Sequence, residues 1–422
     1  MSVNEAASKP HEAPDKPHDG SSKPHDGSNK PHDPRSHAPL PIAERIGADA
    51  RFSGRGVVAA FLDSGFYAHP DLTTPHGRIH AYEDLINNKE GVELLRQGDA
   101  SSWHGMMSTV VAAGNGQLSG GRFRSLAPDL GLVLLKVGTL SRVHHEDIAR
   151  GIEWVLVNRG RFDIRILNIS CGGDYEISYL EDTMSRFAEA AVRAGIVVVC
   201  AVGNNGHRPG YVVPPASVPA VISVGGMDDS GNPRLGKVTG YRSSFGPTID
   251  GVQKPEIITL ADWLAAPILP NTPTAQQAAL LAKLNETPDD ELKAVIEQHP
   301  KVFPSLDEAK ERPAYHIRNI ISMGQRDGLV IDRHYKMVDG TSFAAPIVTS
   351  VVAQMLEANP ALTPQQVKRI LLQTAARLPN LEVDRQGWGA IQPKAAVDRA
   401  LAERSEVHAT GLPPWRRRGI GG

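Results

Sequence analysis

Cysteine is almost missing from this chain. Only Cys171 and Cys200 occur among 422 residues, so no disulfide framework can organise the fold. Long apolar runs are missing too. The longest, at 130–135 and 196–202, fall far short of the roughly 20 residues that cross a bilayer, and they read as buried strands. Neither sign of charge dominates: 45 Lys and Arg stand against 47 Asp and Glu, a balance of −2. Nothing in that balance suggests nucleic acid or a strongly charged partner. The first 20 residues are polar and lack the apolar stretch of a secretory leader. We therefore expect a protein of the reducing cytoplasm with no membrane or nucleic-acid partner; nothing in the composition speaks to its oligomeric state.

What is present is enough apolar residue, 41%, for one large α/β core. Residues 1–38 stand apart from it. Lys-Pro-His-Glu at 9–12 is followed by Lys-Pro-His-Asp at 16–19, 23–26 and 30–33, a seven-residue repeat with no hydrophobic position. Such a segment cannot bury enough surface to offset chain entropy and reads as a solvated tail. Its histidines (His11, His18, His25, His32) also leave a metal-binding reading open. From residue 39 to 404 we expect one folded domain, and from 405 to 422 a basic tail around Trp415-Arg416-Arg417-Arg418. Apolar runs at 57–62, 130–137, 164–170, 196–201 and 221–224 alternate with helical patterns at 146–157 and 179–194. That alternation predicts an α/β fold: a doubly wound, mostly parallel sheet with helices on both faces.

A stretch at about 268–334 breaks the alternation. An Ala-rich run at 275–284 favours helix, Thr287 with Pro288 predicts a second helix, and Ser305 with Glu308 spells a capping box for a third. The insertion is therefore helical. A lid or exosite beside the site and a plain surface subdomain both remain open. Further on, Thr363-Pro364-Gln365-Gln366 caps a helix reaching about residue 377.

Three short runs carry chemistry. In Asp339-Gly340-Thr341-Ser342-Phe343-Ala344-Ala345-Pro346, a sharply turned loop delivers a serine to the start of an apolar helix. Unpaired backbone N–H groups and the helix dipole favour negative charge there, as an acyl-transfer nucleophile requires. The apolar run 57–62 ends in Asp63, and open α/β sheets present their ligand-facing groups at the carboxyl ends of strands. Trp103-His104-Gly105 opens a small, apolar helical stretch. Nucleophile, general base and the carboxylate that orients the base are thus all available, in the order Asp, His, Ser.

These runs resemble the signature blocks of the subtilase family of serine proteases, in the family's order. The strand 196–200 continues into Ala201-Val202-Gly203-Asn204-Asn205-Gly206, similar to the segment that holds the family's oxyanion asparagine. Leu167-Asn168-Ile169-Ser170-Cys171-Gly172-Gly173 is similar to the edge on which subtilases lay a substrate strand. The resemblance spans roughly residues 39–404. It implies a serine endopeptidase with Asp63, His104 and Ser342 as the triad and Asn204 as oxyanion donor, acting on polypeptides with no cofactor in catalysis. It further implies a substrate site at Ser170, Cys171 and Gly172, with Gly138 opposite and Ala201, Asn205 and Val213 around the P1 side chain. Asp71, in His69-Pro70-Asp71-Leu72, matches a structural calcium ligand of the family. Pro39-Leu40-Pro41-Ile42 is similar to the segment with which intracellular subtilases block their own cleft, so gating by the N-terminal segment or by the insertion is a further expectation.

Several residues have plainer readings. Cys171 and Cys200 suit core packing. In His144-His145-Glu146-Asp147, a metal-like cluster, acidic residues in the first turn of a helix suffice as an explanation. A catalytically silent peptide-binding scaffold on the same fold is the alternative to the enzyme.

Overall fold

A central sheet of nine strands, with two separate two-stranded ladders, organises this computed structural model, which describes residues 38–410. The Lys-Pro-His repeats and the Trp415-Arg416-Arg417-Arg418 run lie outside the described residues. In chain order the strands are β1 (Val58–Asp63), β2 (Ile79–Asp84), β3 (Lys89–Glu90), β4 (Gly131–Lys136), β5 (Ile164–Ile169), β6 (Val197–Ala201), β7 (Ile222–Asp228), β8 (Thr239–Gly240), β9 (Gly246–Pro247), β10 (Gln253–Lys254), β11 (Ile257–Leu260), β12 (Leu264–Pro267) and β13 (Tyr335–Val338). The sheet order is β11-β7-β6-β5-β1-β4-β2-β3, with β8 on β7. All its ladders are parallel except β2–β3 and β7–β8. This is the doubly wound arrangement that the alternation predicts.

The helices are α1 (Ile42–Arg45), α2 (Pro70–Thr73), α3 (Ser102–Ala113), α4 (His145–Phe162), α5 (Thr183–Arg193), α6 (Pro273–Glu286), α7 (Leu292–Gln298), α8 (Pro304–Ala309), α9 (Ala314–Asp327), α10 (Thr341–Ala358), α11 (Pro364–Thr374), α12 (Val383–Gln386) and α13 (Pro393–Thr410). Period-2 alternation in β1 sends Ala59 and Phe61 to the layer of α3 and α10, and Val58, Ala60 and Leu62 to the layer of α4 and α5. Both faces being covered, every β1 and β4 residue is buried. Helix α10 runs through the larger core, which is why nearly every one of its side chains is buried. The Thr363–Gln366 capping box forms as read, with Pro364 at the first helical position.

The insertion is helical, as expected, but two of its helix starts differ. Strands β12 and β13 pair antiparallel, and α6 to α9 stand on that hairpin around a core of their own that includes Leu281, Leu284, Ile296, Leu306 and Ile321. Thr287 does not open a helix. Its hydroxyl donates to the Lys283 carbonyl at 2.8 Å and closes α6, so the next helix waits until Leu292. Ser305 and Glu308 form no capping box either, because Pro304 already occupies the first helical position behind Phe303.

The segment 39–42 is tied to the turn after β7. Leu40 N–H donates to the Gly231 carbonyl at 2.9 Å. Just beyond it, buried Arg45 binds Asp229 and donates to the Trp263 carbonyl at 2.6 Å and the Asp262 carbonyl at 2.9 Å. Among the described residues, it makes no hydrogen bond to the segments around Gly138 or Ser170.

Candidate active site

Strand β1 delivers Asp63 to the carboxyl edge of the sheet, and α3 starts beside it. The helix can come that close because position 105 is glycine: a Cβ there would overlap the Gly65 carbonyl and crowd the Asp63 Cβ. Lys136, at the end of β4, anchors the turn before α3 by donating to Asp99 at 2.7 Å and to Ser101 Oγ at 2.9 Å. His104 Nδ1 then lies 2.8 and 2.9 Å from the two Asp63 oxygens. The carboxylate also accepts from Ser64 N–H at 2.7 Å and Ser108 Oγ at 3.2 Å. With these contacts and 2% exposure, Asp63 is fixed in place behind His104.

Burial disfavours the charged imidazole, but the charge and hydrogen bond of Asp63 outweigh it, so His104 titrates above the ordinary histidine value of 6.5. Its ring lies 5.5 Å, centroid to centroid, from that of Phe343, the residue after Ser342. Ser342 is the second residue of α10 and 8% exposed. Among the described residues no hydrogen bond joins His104 Nε2 to Ser342 Oγ; in substrate-free sites this contact is often long and tightens on binding.

Asn204, in the turn after β6, accepts from the Thr341 N–H at 2.9 Å and the Thr341 hydroxyl at 3.0 Å, both through Oδ1. Because a backbone N–H can only donate, these bonds fix which way the amide faces and leave Nδ2 toward the serine. A carbon placed on Gly340 would lie 3.1 Å from Ser342 Oγ and 3.8 Å from Asn204 Nδ2, so hydroxyl and amide flank one small space. At the start of α10 the Thr341 N–H is taken up by Asn204 and the Phe343 N–H donates to the Gly340 carbonyl at 3.0 Å. The loop is held from behind: Gly340 N–H donates to the Ala261 carbonyl at 2.8 Å and Tyr241 OH to Asp339 at 2.6 Å.

The other predicted residues line the neighbourhood. Ser170, Cys171 and Gly172 follow β5 without regular structure, and Gly173 N–H donates to the Pro214 carbonyl at 2.9 Å. Val213 packs across Gly172, its Cγ2 3.1 Å from where a Cβ would stand. Ala201 ends β6, and Asn205 is exposed with its N–H on Ser244 Oγ at 3.2 Å. Gly138 forms a single bridge to Val143, and Thr139 N–H donates to the Arg142 carbonyl at 2.9 Å, so this wall is a tight turn rather than an extended strand. Cys171 and Cys200 are unpaired, and burial pushes both thiols up, away from a reactive thiolate.

Sequence reasoning missed the supporting residues. Thr341 aims Asn204, and buried Asn168 links Ser170 Oγ (2.8 Å) to Thr349 of α10 (3.0 Å), tying the segment after β5 to the helix that carries Ser342. Asn168 and Thr341 both lie inside the quoted motifs, but only packing reveals what they touch.

Asp71, the residue matched to a calcium ligand, is engaged by the protein. Its two oxygens accept from Leu118 N–H at 3.1 Å and from the buried Tyr335 hydroxyl at 2.6 Å, and Asn115 Oδ1 accepts from Gln117 N–H at 3.0 Å. Among the described residues no group of three or more His, Cys, Asp or Glu side chains is placed to hold a metal ion, and no helix is long and apolar enough to cross a membrane.

The model of the subtilase family matches residues 54–389. Over 358 residues the chain is 29% identical to the serine protease AprX of Bacillus subtilis, covering 82% of this chain and 67% of AprX. It is 25% identical to a probable subtilase-type serine protease of Deinococcus radiodurans, covering 83% of this chain but 41% of that protein. Among solved structures, fervidolysin from Fervidobacterium pennivorans, described as a keratinolytic enzyme related to subtilisin, matches with a TM-score of 0.57 at 22% identity, over 85% of this chain and 45% of fervidolysin. The prenylagaramide maturation protease PagA matches with a TM-score of 0.52 at 18% identity, over 85% of this chain and 96% of PagA. At these identities the structural likenesses bear on the fold alone.

Proposed function

This chain belongs to the subtilase family, and on that premise we propose that it is a serine endopeptidase acting through Asp63, His104 and Ser342. Ser342 Oγ attacks the scissile carbonyl carbon while His104 Nε2 takes its proton. The tetrahedral oxyanion is held by Asn204 Nδ2 and the Ser342 N–H. On collapse the C–N bond breaks, His104 returns the proton to the leaving amine, and an acyl-enzyme remains on Ser342. Water, deprotonated by His104, then releases the acid. Asp63 orients the ring and stabilises the imidazolium throughout. The observation that carries this reading is the shared space between Ser342 Oγ and Asn204 Nδ2, beside an imidazole fixed by Asp63.

The substrate strand lies between the turn at Gly138 and the segment Ser170, Cys171, Gly172, adding to the edge of the sheet. Val213 across Gly172 narrows the wall of the P1 pocket, and with neutral Asn205 nearby this favours an uncharged, small-to-medium apolar P1 residue. Catalysis proceeds without calcium at Asp71, a reading supported by the Tyr335 hydroxyl that occupies its carboxylate. Two unpaired cysteines support a reducing compartment. Gating works through the insertion, a reading supported by β13 running directly into the loop before Ser342.

The test is turnover of a denatured protein substrate by the wild type and by Ser342→Ala. Nucleophile removal in a subtilisin costs roughly 10⁶ in kcat, and a loss of that scale is expected here. A purified wild type with no turnover, or a Ser342→Ala variant that keeps it, would make the chain a peptide-binding scaffold or place the nucleophile elsewhere.

A further inference from the structure

Just past the residues that flank the substrate strand, the two walls of the cleft are fastened to each other. Arg142 and His145 come from the turn at Gly138 and the start of α4; Asp174 and Tyr175 come from the segment after Gly172. Asp174 takes both partners. Its Oδ2 accepts from Arg142 at 3.2 Å, and its Oδ1 lies 2.7 Å from His145 Nδ1. The Asp174 N–H also lies 3.0 Å from that nitrogen. The Tyr175 ring stacks on His145 with centroids 3.8 Å apart and planes 13° apart. Gly173 sits flat against the same ring, since any Cβ there would overlap the imidazole, and it is bonded in turn to Pro214.

His145 is 3% exposed, so the contact is built into the fold rather than being a chance meeting of surface charges. The His145 hydrogen bond, with Arg142 helping, holds the Asp174 carboxyl down at about 2, so it stays an anion across the working range of a protease.

We propose that Asp174, clasped between Arg142 and His145, is a positioning residue that fixes the width of the substrate channel upstream of the scissile bond and so sets affinity for extended substrates. This rests on the endopeptidase reading. Three wall residues (Ser170, Cys171, Gly172) at about 3.3 Å per residue pair with roughly three residues of substrate, which brings a longer peptide up to the clasp. A pre-set channel spares the bound peptide the cost of ordering its own walls. Short substrates, which end before the clasp, draw no benefit from it.

The experiment compares wild type, Asp174→Ala and the charge-swapped pair Arg142→Asp with Asp174→Arg. Active enzyme is first counted by titration with a fluorophosphonate. Each is then assayed on two chromogenic peptides sharing a P1 residue, one with two residues before the scissile bond and one with six. Asp174→Ala should raise KM for the long peptide by roughly 10-fold with kcat within about twofold, and leave kcat/KM for the short peptide within about twofold. The swapped pair should recover part of the long-peptide loss. An unchanged or lowered KM for the long peptide, or equal losses on both peptides, overturns the clasp. Absence of any titratable serine in the wild type would instead overturn the endopeptidase reading.

Discussion

At the scale of single residues, orientation matters more than identity. Asn204 can serve an oxyanion only because Thr341 takes up its Oδ1 through both N–H and hydroxyl. Truncation to alanine removes the donor without disturbing a core, since Asn204 is exposed. Asn204→Ala should therefore lower kcat by about 10²–10³ with KM little changed, read from steady-state kinetics on one peptide. A rise in KM at constant kcat would mean that Asn204 binds the ground state instead. Asp63, His104, Asn204 and Ser342 could be picked out as candidates because each sits in a compact motif at the end of a strand or the start of a helix. Thr341, Asn168 and Asp174 were not. Their roles come from partners 137, 181 and 29 residues away, and a single sequence carries no signal for such meetings.

At the scale of elements, legibility followed burial. β1 and β4 are buried along their whole length and stand out as apolar runs. β2 reads Ile-His-Ala-Tyr-Glu-Asp, half-exposed near the sheet edge, and gives no such signal. β12 and β13 are four residues each and pair across the whole insertion, so neither local pattern nor spacing announces them. The short helix α2 shows a further consequence. His69 is its N-cap and accepts from the Asp71 N–H at 3.2 Å through Nδ1, which requires that nitrogen unprotonated. Burial, against a smaller opposing pull from Asp71, holds its pKa at about 4, below the ordinary 6.5. As pH falls, the unfolded chain takes up this proton first. The contribution is therefore whole above about pH 6.5 and lost progressively toward pH 4, on the order of 3 kcal/mol in all. His69→Asn keeps a cap acceptor but not the titration. Urea melts at pH 7 and 4.5 should show a smaller acid-side drop in the variant, by about 2 kcal/mol. An identical drop in both proteins would exclude His69 as its source.

At the scale of the molecule, the site is a meeting point of β1, α3, the turn after β6, and α10. Helix α10 makes the meeting possible, because it lies buried in the larger core against β5, β6, β7 and α3 at once. The alternation of strands and helices made that architecture readable. The convergence of Asp63, His104, Asn204 and Ser342 at one rim rested on resemblance, since alternation alone places no particular side chain. The most direct measurement of whether they act as one unit is the rate of fluorophosphonate labelling as a function of pH, with the modified residue mapped by mass spectrometry. The account predicts a single adduct on Ser342, formed at a rate that rises with pH through an ionisation above 6.5 as His104 becomes neutral. No adduct, an adduct on another residue, or a rate indifferent to pH would contradict it.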